Sequence, residues 1–98
     1  MGAAVMTTID TVIEPEREPE LIEGFRRMTE GRQPEGLIRS ELLRGQGGAW
    51  RIQTTWRDRE ALLALRASGE TPAALALLDR LGAQHSHTVH TVERSIEV

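Results

Sequence analysis

The amino-acid sequence predicts an α+β fold in which one four-stranded antiparallel sheet carries its helices on a single face. Three observations lead there. Two short runs, Gly36–Arg44 and Ala49–Arg57, flank the glycine-rich connection GQGG; β-branched runs stand near both ends of the chain; and Ala/Leu-rich helical segments lie between them. Taken in order these give strand, helix, strand, strand, helix with an extra helix, strand, which is the split βαβ arrangement of ferredoxin-like folds.

The first strand is VMTTIDTVI, Val5–Ile13, with Val5, Thr7, Ile9, Thr11 and Ile13 on one face and Asp10 on the other. Pro15 and Pro19, among Glu14, Glu16, Glu18 and Glu20, then open a helix, because proline fits a first turn and carboxylates favour the positive end of the helix dipole. Leu21, Ile22, Phe25 and Met28 form its apolar stripe, and Gly31 and Pro34 end it. The GQGG turn supplies the positive φ angles that a hairpin needs. In the second hairpin strand Trp50, Ile52, Thr54 and Trp56 share one face, and Arg51, Gln53, Thr55 and Arg57 the other.

Asp58 stands where an N-cap belongs, with Glu60 in the first turn and ALLALRA behind it. SGE breaks that helix. Thr71 and Pro72 start a short third helix, AALALLDRL, which stops at Gly82, and a long last strand is expected from about Gln84 to Val98.

A single domain over residues 1–98 is expected, with residues 1–5 open to being a disordered or added extension. Four strands with helices on one face leave the other face bare, and here that face mixes Met6, Val12 and either Ile38 and Leu42 or their neighbours with Asp10 and Arg51. A second copy covering it explains the mixture, so a homodimer is expected.

Composition narrows the function. With no cysteine, thiolate metal sites and cysteine nucleophiles are excluded. Fifteen acidic residues against twelve arginines and no lysine give a net charge of -3 without a basic block, so neither nucleic-acid binding nor Schiff-base chemistry is expected. No apolar run approaches the roughly 20 residues that span a bilayer, and no signal-peptide pattern is seen; a cytoplasmic protein without membrane contact is expected.

The segments VIEPERE, PEGLIRSELLR and above all TTWRDREALLAL resemble the antibiotic biosynthesis monooxygenase family of dimeric α+β barrels, whose relatives include quinol and heme-degrading monooxygenases. The family pattern Trp-x-Ser-x-Glu-Ala is met by Trp56, Asp58, Glu60 and Ala61, with Asp58 in place of the capping serine. The resemblance implies a cofactor-independent oxygenation, with O2, of an electron-rich aromatic, quinol or polyketide-like small molecule in a cavity beside Trp56. No cofactor and no metal are expected. Heme degradation is disfavoured, because the Asn and helical His of that branch are missing.

The candidate catalytic residues are Trp56, His87 and His90, the histidines as alternative bases alongside His85. The candidate substrate-binding residues are Ile9, Phe25, Trp50, Thr54 and Leu62. In a strand His85 and His87 share a face while His90 takes the other, which speaks against three-histidine metal ligation. Asp10 falls on the bare face, where an arginine such as Arg51 is its expected partner. The alternative is a non-catalytic dimeric module for a small ligand, or one with only a structural role, because tyrosine and asparagine are both absent.

Overall fold

The structure is a computed structural model and describes residues 3–69 and 72–98. Strand β1 (Val5–Val12) leads through a 3-10 turn (Pro15–Arg17) into α1 (Glu18–Glu30); β2 (Leu37–Arg44) and β3 (Ala49–Trp56) form the hairpin; α2 (Arg59–Ala67) and α3 (Ala73–Arg80) precede β4 (His85–Thr91). The sheet is antiparallel throughout, in the order β2-β3-β1-β4. This is the ferredoxin-like arrangement expected from the element order. Thr71, assigned above as a helix cap, and Glu70 lie outside the described residues.

The alternation read in β1 and β3 holds. Val5, Thr7, Ile9, Thr11, Trp50, Ile52, Thr54 and Trp56 are all buried beneath the helices. Asp10 and Arg51 pair across the opposite face, Nε to Oδ1 at 2.7 Å. A bulge at Ile38 sets the parity of β2: Leu42 faces Ile52 and packs on the core, whereas Leu43 turns to the bare face and Ile38 is exposed. Gly47 and Gly48 adopt positive φ in the hairpin turn, and Gly48 also presents its carbonyl to the Ile13 N–H at 2.9 Å.

Two expectations change. The last strand stops at Thr91 rather than running to Val98. Its final ladder-like bond is from Val92 N–H to the Ala4 carbonyl, beyond which no described residue before β1 offers a further partner, and a strand edge without a partner has no ladder to extend. Ile22, counted in the α1 stripe, is 44% exposed, while Leu21 beside it is fully buried; the stripe is narrower than the spacing suggests. Arg26 on the solvent side of α1 hydrogen-bonds to Glu23 and Glu30, holding the Glu23 carboxyl down at about 2.

The core divides in two. One cluster joins Ile9, Ile13, Leu21, Trp50, Ile52, Leu77, Leu78 and Leu81, with Phe25 and Leu42 against it. The other joins Val5, Trp56, Ala61 and Leu62, with Leu37 and Leu65 against it. Each cluster contains one of the two indoles, the largest apolar surfaces available to the chain. Among the described residues no helix is long and apolar enough to cross a membrane.

Candidate active site

Trp56 is the last residue of β3, and Arg57 N–H bonds to the Gly36 carbonyl at 2.7 Å, so the turn into α2 is tied to the entry of β2. Asp58 caps α2, its Oδ1 accepting from Ala61 N–H at 2.9 Å, and this bond is the leading cause of its lowered pKa. Gly36 lies against Ala61 so closely that a Cβ there would come within 2.4 Å of the Ala61 Cβ. A small residue on each side lets the strand entry and the first turn of α2 meet, and that junction fixes the angle at which the Trp56 ring enters the protein.

The ring is 4% exposed, and its Nε1–H donates to Thr7 Oγ1 at 3.3 Å. Next to it Ser40 Oγ and Thr54 Oγ1 share a hydrogen bond of 2.9 Å between neighbouring strands. One of those two hydroxyl protons satisfies the pair, which leaves the other free to meet a ligand oxygen.

Between the two core clusters lies a cleft of about 740 Å³, within the range typical of small-molecule sites. Trp56, Leu62, Leu65 and Leu75 supply apolar wall, Thr7, Ser40 and Thr54 neutral hydroxyls, and Arg32, Arg66 and His87 the charged or titratable groups. Desolvation lowers the His87 pKa, and the nearby charges of Arg66 and His85 lower it further, so the imidazole is held in its neutral, proton-accepting form at pH 7.

The structure brings together Trp56, His87, Ile9, Thr54 and Leu62 from the residues singled out above. It separates the others. Trp50, expected as a wall of the same cavity, lines instead a shallower groove of about 760 Å³ at the opposite end of the sheet, together with His85 and Arg17. Its Nε1–H donates to Glu18 Oε2 at 2.9 Å, and the Arg44 guanidinium stacks 4.3 Å from its ring centre. Phe25 packs into the Trp50 cluster rather than lining the cleft. His90 pairs opposite Met6, on the bare face of the sheet, whereas His87 pairs opposite Ile9 on the helix side. Among the described residues no three His, Asp or Glu side chains gather as a metal site.

A family model described as antibiotic biosynthesis monooxygenase matches residues 3–90. The chain belongs to the antibiotic biosynthesis monooxygenase family. Solved structures share its fold. A mutant of SnoaB, a cofactor-independent oxygenase from Streptomyces nogalater, superposes with a TM-score of 0.73 at 18% identity, covering 97% of this chain and 98% of that one. A putative antibiotic biosynthesis monooxygenase from Deinococcus radiodurans gives 0.73 at 16% identity, covering 96% and 97%. Rv0793 from Mycobacterium tuberculosis gives 0.71 at 20% identity, covering 97% and 100%. No curated protein matches the sequence significantly. Membership in the antibiotic biosynthesis monooxygenase family supports a monooxygenase-type function.

Arg32, Arg66, Ser40 and Thr7 were not singled out from the sequence. The arginines stand at helix ends, where solvation and the dipole already account for them. The hydroxyls carry no spacing signal, since they become neighbours only through strand register.

Proposed function

We propose that the protein is a cofactor-independent monooxygenase acting on an electron-rich aromatic, quinol or polyketide-like molecule in the Trp56 cleft. The observation that carries this reading is the cleft itself: an apolar space between two packed clusters, bordered by a buried indole, with a neutral imidazole at its side. SnoaB, whose fold it shares, is a cofactor-independent oxygenase.

For an anthrone-type substrate the chemistry balances without a further reductant. A ring CH2 and O2 become a ring C=O and water, both hydrogens leaving with the second oxygen atom. His87 takes the first proton, giving a carbanion whose charge spreads to the ring oxygen; the Ser40–Thr54 hydroxyl pair donates to that oxygen. The electron-rich anion passes an electron to O2, the two radicals combine, and the resulting peroxide loses water. The indole of Trp56, fixed by Thr7, positions the ring plane.

A homodimer belongs to the same proposal. The bare face carries Val12, 70% exposed, and Leu43, 38% exposed, beside the Asp10–Arg51 pair. A second sheet laid on it removes that apolar surface from water. Light scattering on wild type and on Leu43→Asp tests this part: a dimer that the substitution converts to monomer is expected, and a monomeric wild type refutes it.

Oxygen uptake with hydroquinones and anthrones, in protein shown by elemental and absorbance analysis to be free of metal and flavin, tests the activity. Turnover that falls in Trp56→Ala and His87→Gln is expected. The lack of tyrosine and asparagine favours a second reading, in which the cleft binds a small ligand without turning it over. Binding with no oxygen uptake by any substrate in the panel selects that reading.

A further inference from the structure

Among the described residues the formal charge around the cleft is of one sign. Arg32 and Arg66 border it with His87, and no described aspartate or glutamate does, although acidic side chains outnumber basic ones in the chain. Elsewhere many arginines are neutralised, Arg26 by Glu23 and Glu30, Arg44 by Glu18, Arg51 by Asp10, while Arg59, Arg80 and Arg94, which do not line the cleft, pair with no described acidic residue. Arg32 and Arg66 make no hydrogen bond or ion pair with a described residue.

Their helix-end positions do not occupy them. The Gln33 side-chain amide donates to the Met28 and Gly31 carbonyls after α1, and the Ser68 and Gly69 backbone amides close α2. Toward the described residues the two guanidiniums thus keep their donors at the border of an apolar cleft whose interior polar groups are uncharged hydroxyls. Burial chiefly, and after it the charge of Arg66, lower the His87 pKa, in keeping with Arg66 and His87 lining the same cleft.

We infer that the cleft selects an aromatic substrate bearing a carboxylate, the ring lying against Trp56 and Leu62 and the carboxylate held by Arg32 and Arg66. The guanidinium fork matches the two carboxylate oxygens. Both arginines sit at or just beyond helix C-termini, whose negative dipole ends suit the guanidinium cations themselves, so an anion in the cleft is held by the arginines and not by the helices. The inference rests on the cleft being the substrate site, and deepens that reading by naming the substrate class.

The test compares three ligands of one ring size: 3-hydroxy-2-naphthoate, neutral 2-naphthol and 2-naphthyl phosphate. Their affinities are measured by calorimetry on wild type, Arg32→Gln, Arg66→Gln and the double variant, with circular dichroism confirming the fold of each. Naphthoate is expected to bind wild type about tenfold more tightly than naphthol. The gap should narrow in each single variant and vanish in the double variant, with naphthol affinity unchanged.

Equal binding of naphthoate and naphthol, a gap that survives both substitutions, preference for the phosphate, or no binding of any of the three overturns the inference. Its failure separates from failure of the oxygenase reading. Turnover of hydroquinones by protein that binds naphthoate no more tightly than naphthol removes the inference alone. Arginine-dependent naphthoate binding with no oxygen uptake across the panel keeps the inference and removes the oxygenase.

Discussion

The indole N–H of Trp56 donates to the hydroxyl of Thr7 from the neighbouring strand, both residues buried, so the orientation of the cleft's one aromatic wall depends on a single threonine. Thr7→Val keeps the shape and removes the acceptor, leaving a buried N–H without a partner. A loss of about 1–2 kcal/mol is expected by urea denaturation, and Thr7→Ser should recover most of it. If the indole matters to catalysis, kcat should fall in Thr7→Val more than the stability loss alone accounts for.

Gly36→Ala should cost about 2–4 kcal/mol. The added methyl meets two penalties: φ is +88° at this position, and the Ala61 Cβ lies 2.4 Å from where the new Cβ would be. Ala61→Gly in the same chain relieves the clash but not the backbone strain, so it should return only part of the loss. A thermal-melt series over the wild type, the two single variants and the double variant resolves the two contributions.

The His87 imidazole gives a pH dependence of known sign. Its pKa is below the ordinary histidine value in the folded state, so folding favours the neutral form. That contribution to stability is complete above the unfolded value of about 6.5 and is lost as pH falls through the lower folded value. The acid limb of kcat/KM is expected below the usual histidine range in wild type. In Arg66→Gln, which removes one of the charges responsible, the limb should move to higher pH; an unmoved limb assigns it to another group.

Thr55 lies on the bare face of the sheet, 6% exposed, and its Oγ1 has no hydrogen-bond partner among the described residues. Thr55→Val removes that buried hydroxyl at almost constant volume and should stabilise the protein by about 1 kcal/mol, raising Tm by roughly 4–8 °C for a domain of this size. Differential scanning calorimetry at fixed protein concentration measures it. Destabilisation instead would show that the hydroxyl has a partner in solution.

Much of the fold was legible because strand parity is a hard geometric rule. A residue and its neighbour point to opposite faces, which was enough to place Asp10 with Arg51 and to put His87 and His90 on opposite sides of β4. Parity says nothing about position along a strand. Trp50 and Trp56 share a face, yet six residues at about 3.3 Å each carry them roughly 20 Å apart, into different clusters. The end of β4 was hidden for a related reason: a strand extends only while its neighbour does, and that limit lies at Ala4, far away in sequence. Arg32 and Arg66 were hidden because a helix-end arginine looks the same whether it faces solvent or a cavity.

The separation of the interior into two packed masses has a consequence for how this scaffold can change. Leu37, Leu65 and Leu75 reach the gap from the margins of those masses, so exchanging them for smaller or bulkier side chains alters the room inside while both anchors remain seated. Molecules of different girth become accessible through a handful of substitutions that leave the framework standing, and hollowing out Leu75 is the place to begin widening it.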